Sequence, residues 1–165
     1  MKRTLQMLLW SITLTTSPVA FAHGLPVVST PLQCEPGNGL DHSTLSAILS
    51  RQAQAWEKHD FSIAAPDWLP DGELTSPGGR VKAGEMASVI DDYAKHFRDL
   101  KVTVKNTFVS SDGKQAAIEW DWDVTRIRDG KRGVTHDAIL VTFEGNKIKS
   151  WREYFDLGDS VDAQP

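Results

Sequence analysis

After residue 100 the chain becomes a series of short alternating segments separated by three glycine-containing dipeptides. Val102, Val104 and Phe108 alternate in the first segment. Residues 116–124, 136–143 and 148–155 form three more. The links are Asp112-Gly113, Asp129-Gly130 and Gly145-Asn146. A period of two belongs to a strand with one buried face. Asp-Gly or Gly-Asn between two such runs favours the tight turns of β-hairpins. Consecutive hairpins predict a four-stranded antiparallel meander.

Two helices precede it. The first is expected to start near Ser43, capped by Asp41 or Ser43. Leu45, Ile48, Leu49, Ala53 and Trp56 place its apolar stripe at helical spacing, and His59-Asp60 ends it. Residues 61–79 are irregular, with short strands expected at Trp68-Leu69 and Glu73-Leu74-Thr75 and a turn at Pro77-Gly78-Gly79. Residues 83–97 form the second helix, where Met86, Val89, Ile90, Tyr93 and Phe97 share one face. Helices first and a curved meander afterwards make an α+β domain. The helices pack in the concave face of a mostly antiparallel sheet.

The N-terminus has a different purpose. Lys2 and Arg3 precede a mostly apolar stretch at residues 5–16, and Ala20-Phe21-Ala22 follows as a cleavage signal. Residues 1–22 therefore read as a secretory signal peptide, and the protein is expected in the periplasm or outside the cell. Residues 23–42, rich in proline and glycine, are an extended lead-in. Residues 43–158 are the domain and 159–165 a tail. Cys34 is the only cysteine, so no intramolecular disulfide forms. Loss of Lys2 and Arg3 leaves 16 basic residues against 22 acidic ones, a formal charge of −6. That balance argues against nucleic acid or an anionic membrane as partner. Cleavage would leave His23 as an N-terminal residue whose amine and imidazole could chelate Cu(II), or which simply follows the cleavage point.

In residues 116–124 the alternation separates Ile118, Trp120, Trp122 and Val124 from Glu119, Asp121 and Asp123. The first set belongs on the concave face and the second in water. In the next strand Asp137, Ile139, Val141 and Phe143 share one side, and His136, Ala138, Leu140 and Thr142 the other. Both sides are fairly apolar, so the outer face is expected to be partly covered. In the last strand Lys149, Trp151, Glu153 and Phe155 alternate with Ile148, Ser150, Arg152, Tyr154 and Asp156.

Two passages carry a family likeness. One is Ser76-Pro77-Gly78-Gly79-Arg80-Val81-Lys82-Ala83-Gly84. The other is Gly145-Asn146-Lys147-Ile148 followed by Trp151-Arg152-Glu153-Tyr154-Phe155-Asp156. In these, and in element order, the chain resembles the nuclear transport factor 2-like, or SnoaL-like (polyketide cyclase-like), superfamily over residues 44–158. The resemblance implies a cone-shaped, cystatin-like fold, a pocket between sheet and helices, and pairing of two copies through the outer sheet face. It says little about chemistry, because the superfamily includes isomerases, dehydratases, cyclases, epoxide hydrolases and proteins without a reaction. Limonene epoxide hydrolase-like members carry an Asp where Glu153 stands and an Arg-x-Asp pair where this chain has Trp120-Asp121-Trp122. The missing arginine points away from epoxide hydrolysis.

The implied pocket would be lined by Trp120, Trp122, Trp68, Tyr93, Phe97 and Trp151, with Glu153 and Asp137 as candidate catalytic acids. A carboxyl between Trp151 and Phe155 loses hydration, which raises its pKa towards the range useful near neutral pH. Tryptophans offer a flat wall to an apolar or cyclic ligand. Each residue also has a plainer reading. Trp120 and Trp122 fit a core, Glu153 a cross-strand ion pair, and Asp137 a solvated strand end. No Cys/His cluster, phosphate-cradling glycine loop or nucleophile elbow occurs, so neither a metal nor another cofactor is expected. Three functions follow: binding of a small apolar or cyclic molecule by a homodimer, acid–base catalysis centred on Glu153, or a structural module whose cone is filled by side chains.

Overall fold

The computed structural model of the protein describes residues 40–155 and Val161. The segment read as a signal peptide, the lead-in with His23 and Cys34, and Asp156 lie outside the described residues.

Helix α1 runs His42–Glu57. Asp41 caps it, its carboxylate accepting the Thr44 N–H at 2.7 Å. Leu45, Ile48 and Leu49 are buried as the spacing predicts, but Gln52 and Ala55 continue the stripe. Ala53 and Trp56 pack at the edge of the core instead. Gln52 is a polar residue that periodicity passes over, and its burial is matched by hydrogen bonds. Its Oε1 accepts the Trp68 indole N–H at 3.0 Å, and its Nε2 donates to Asp67 at 3.2 Å. Arg51 donates to the same carboxylate through Nε at 2.9 Å and Nη2 at 2.7 Å. This cluster fixes α1 to the start of the sheet.

Six strands form that sheet: β1 (Trp68–Ser76), β2 (Gly79–Lys82), β3 (Phe97–Val109), β4 (Gln115–Arg126), β5 (Arg132–Glu144) and β6 (Lys147–Tyr154). Their order is β2-β1-β6-β5-β4-β3. The meander β3–β6 is antiparallel throughout, and β1 adds to it parallel to β6. Gly145 at φ 58° makes the tight β5–β6 turn. Helix α2 (Met86–His96) follows a 3₁₀ turn at Ala83–Glu85, and Phe97 already belongs to β3. Among the described residues no helix is long and apolar enough to cross a membrane.

The two short strands expected near residues 68–75 are one strand with an irregularity. The β1–β6 register shifts between Trp68 and Glu73, and Gly72 lies within the shift. A Cβ on Gly72 would sit 2.9 Å from the Ile148 carbonyl oxygen and 3.0 Å from that of Leu69. Backbone cannot yield as a side-chain end can. Gly72→Ala is therefore expected to lower stability by about 2 kcal/mol in chemical denaturation. An unchanged midpoint would mean that the β1–β6 approach is looser than this.

Strand β3 departs from strict alternation twice, with register shifts between Arg98 and Lys101 and between Val104 and Asn106. Asp99 occupies the first, at φ 56°. Glu57, at the end of α1, accepts the Val102 N–H there at 2.9 Å. The second shift exchanges the faces. Val102 and Val104 lie opposite Trp122 and Trp120, whereas Phe108 lies opposite Ala117 on the other face. Phe108 is consequently 64% exposed. Alternation alone had joined it to the two valines.

Ile118, Trp120, Val124, Ile139, Val141, Phe143 and Trp151 are buried on the inner face, as the alternation predicts. Ile148 is buried with them although the alternation sets it on the other side from Trp151: the β5–β6 register shifts between Thr142 and Phe143, and Ile148 lies opposite Phe143. The acids on the reverse of β4 hold cations: Asp121 binds Lys105 at 3.2 Å and Asp123 binds Arg132 at 2.8 Å.

Candidate functional site

The core does not fill the space between helices and sheet. A cavity of about 320 Å³ remains at one end. Helix α1 contributes Trp56, and α2 contributes Met86, Val89 and Tyr93. Leu74 and Ser76 come from β1, Gly79, Arg80 and Val81 from β2, and the turn between them adds Gly78. Trp122, Thr135, Asp137 and Glu153 project from β4, β5 and β6, and Phe155 follows β6. The wall is mainly apolar, with two acids and Arg80 on it.

The tryptophans divide into two groups. Trp56, Trp122 and Tyr93 meet edge to face, with centroids 5.1 to 5.8 Å apart. The Trp122 indole N–H donates to the Tyr93 hydroxyl at 2.8 Å. This trio forms one side of the cavity. Trp120, Trp151 and Trp68 form a row behind it, with centroids 5.3 Å apart for Trp120–Trp151 and 6.3 Å for Trp68–Trp151. These three are buried in the core and do not line the cavity. Phe97 does not line it either, but stacks on Tyr93 at 4.5 Å. Four of the six aromatic residues read as pocket wall are thus support for the wall, because their side chains reach the core beneath α1 or lie behind Tyr93. Trp56 and Val81 were not anticipated. The helical stripe already contained Trp56, but periodicity cannot distinguish a core position from one over a cavity.

Two of the supporting indoles have a further task. Trp120, opposite Asp137 across the β4–β5 ladder, donates its N–H to Asp137 Oδ2 at 3.2 Å. Trp151 donates to Glu153 Oε1 at 2.9 Å. Asp137 Oδ1 also accepts the Tyr154 backbone N–H at 3.1 Å, just beyond the last β5–β6 pair, Ala138 with Tyr154. Glu153 lies opposite Ile139, diagonal to Asp137 on the same face. The two acids are therefore neighbours with fixed orientations.

Asp137 is 6% exposed, not a solvated strand end. Burial pushes its pKa up to about 6, against the pull of the Trp120 and Tyr154 donors. Glu153 is half-buried. Burial, and then the charge of Asp137, push it up to about 8, opposed by the Trp151 N–H. Neither acid forms an ion pair among the described residues, so the cross-strand pair considered for Glu153 is not what the strands present. His136 faces away, binding Asp121 through Nδ1 at 2.7 Å. Arg126, at the end of β4, is turned to Asp129 and the Val161 carbonyl.

Two hydrogen-bonded carboxyls near neutrality, on the wall of an apolar cavity, can hold or move a proton on a small molecule.

Comparison with known proteins agrees with this architecture. A family model described as a SnoaL-like domain matches residues 49–151. Several solved structures are similar in fold. One is a hypothetical protein with a ketosteroid isomerase-like fold from Catenulispora acidiphila, in complex with trimethylamine. It is 16% identical, covers 70% of this chain and 90% of its own, and has a TM-score of 0.63. A candidate polyketide cyclase from Pseudomonas putida is 16% identical over 72% of this chain and 96% of its own, with a TM-score of 0.62. TsrD from Streptomyces laurentii is 16% identical over 73% of this chain and 93% of its own, with a TM-score of 0.65. At these identities the likeness is one of fold. None of the curated proteins compared with the chain matches it.

Proposed function

The chain belongs to the SnoaL-like domain family, and on that premise we propose that it binds a small apolar or cyclic molecule in the cavity between sheet and helices. The observation that carries this reading is the unfilled space of about 320 Å³ with apolar walls and two oriented carboxyls. Such a volume lies at the low end of the range of about 300–1,000 Å³ for small-ligand pockets. It also weighs against a structural module with a filled cone.

A second reading is acid–base catalysis of the isomerase, dehydratase or cyclase type. The values near 6 and 8 for Asp137 and Glu153 favour it, since proton transfer is most efficient when the group's pKa lies near the working pH. Glu153 would be the central acid or base and Asp137 its assistant.

Two further features complete the proposal. The protein acts as a homodimer that pairs through the outer sheet face. Phe108, Leu140 and Tyr154 are exposed there by 64, 43 and 53%. Ala117 lies between Phe108 and Leu140 in register. Apolar rows of this kind are typical of covered surfaces. The protein is also exported, on the strength of the charged, apolar and small-residue order of residues 2–22.

Native mass spectrometry of the protein purified from its own host tests all three. A dimer of chains starting at His23, carrying a small apolar mass, is expected. A monomer removes the dimer, and an uncut N-terminus removes export. The binding reading fails if the protein arrives empty and millimolar cyclohexanone or 2-naphthol leaves its tryptophan emission unmoved.

A further inference from the structure

Asp137 and Glu153 receive three N–H groups between them, from Trp120, Tyr154 and Trp151. All three donors are neutral. Donors aimed at carboxyl oxygens favour the ionised form. Burial and mutual repulsion work in the opposite direction and keep the pair partly protonated. What would resolve the conflict is a positive charge, and no described side chain brings one. Among the described residues neither acid has an ion pair. The other titratable groups on the cavity wall are Tyr93 from α2 and Arg80 from β2. Tyr93 accepts the Trp122 N–H. Arg80 lies opposite Thr75, and its guanidinium is bound to Glu73 at 3.2 Å. The parts of α1, β1 and β4 that line the cavity are uncharged.

The site is thus a carboxyl pair prepared for ionisation, set in aromatic walls and lacking a counter-charge. From this geometry we infer that the ligand supplies it: the cavity takes a small amine with an apolar ring, its ammonium at Glu153 and Asp137 and its ring against Trp56, Trp122 and Phe155. This rests on the reading of the cavity as a small-molecule site. The aromatic faces add to the attraction for an ammonium. A hard metal ion suits the place less. Two carboxyls are far from the six to eight oxygens that calcium takes, and among the described residues no group of three metal-ligating side chains occurs. The proton balance is simple. The ammonium keeps its protons, and the acid pair releases up to one proton to solvent as it ionises.

The test uses 2-phenylethylamine and its neutral isostere 2-phenylethanol, titrated into the protein with tryptophan emission and calorimetry as readouts. The amine is expected to bind at least about tenfold more tightly at pH 7, a difference near 1.4 kcal/mol. Calorimetry in two buffers of different ionisation heat should show proton release on amine binding and none with the alcohol. Affinity for the amine should rise from pH 6 to pH 8 as the pair gives up its protons. An alkylammonium stays charged throughout, since its pKa is about 10.4. Glu153→Gln should reduce the amine's advantage to less than about threefold. The buffer comparison requires no variant, so it decides the matter even where that substitution does not fold. Equal binding of amine and alcohol, or binding without proton release, overturns the inference and leaves the cavity reading standing. If neither compound binds at millimolar concentration, the amine inference falls, and the cavity reading is decided by the cyclohexanone and 2-naphthol titrations.

Discussion

Trp120→Ala is expected to lower the free energy of unfolding by about 4 kcal/mol, within the range for removing a large aromatic side chain from a core. Trp120 is 2% exposed and packs against Trp151 and Trp122 at 5.3 and 6.1 Å. Its loss opens a void in the core and takes the N–H from Asp137 Oδ2. Trp120→Phe separates the two effects. Phenylalanine restores much of the volume but cannot donate, so the remaining loss should be about 1–2 kcal/mol. The pKa of Asp137 should then rise further above 6, because the donor that lowers it is gone. Denaturation midpoints and carbonyl NMR titration of Asp137 measure the two separately. A phenylalanine variant with the wild-type titration would show that the indole fills space and does nothing for the acid.

That double role bears on what the sequence made legible. Period-two runs and glycine turns were enough to predict the meander, but not the register that sets Trp120 opposite Asp137. Alternation set Asp137 and His136 on opposite sides of their strand, but only the register shows which of them turns to the cavity. Departures from periodicity could not be foreseen. The shift after Val104 moves Phe108 to the outer face, and nothing in Lys105 or Asn106 marks it. Strand β2 is four residues long, too short for a period of two to mark it. Gln52 entered the core as a polar link between Trp68 and Asp67. The cavity wall was the least readable feature. Whether an aromatic residue lines a space or supports those that do depends on how far each helix stands from the sheet. Trp122 and Trp120 are two residues apart on one face of β4, yet only Trp122 reaches the cavity.

The acid pair should leave a mark on stability itself. A carboxyl whose pKa is higher in the folded than in the unfolded protein binds its proton more tightly when folded. Its contribution is complete below the unfolded value and is lost as pH rises through the folded one. For Asp137 that window runs from 3.8 to about 6, and for Glu153 from 4.5 to about 8. Exposed carboxylates act in the opposite direction. Asp129, held down to about 2 by the Arg126 guanidinium, stabilises above 3.8 and ceases to do so as pH falls through 2. Stability is therefore expected to peak near pH 4–5 and to decline towards pH 8. At about 1.4 kcal/mol per pH unit, the Glu153 window allows a decline of at most about 5 kcal/mol. Glu153 opens on the cavity, and water there screens its charge, so about 2–3 kcal/mol is the expected size. Glu153→Gln keeps an oxygen for the Trp151 N–H and cannot ionise. It should unfold at higher urea concentration than wild type at pH 8 and show no advantage at pH 4.5. A wild-type midpoint that climbs steadily from pH 5 to pH 8 would contradict raised acids in the folded state. A bound amine should remove the decline, because the ammonium favours the ionised pair that the empty cavity resists. Stability lost at neutral pH and ligand affinity gained there are then two consequences of one uncompensated pair of carboxyls.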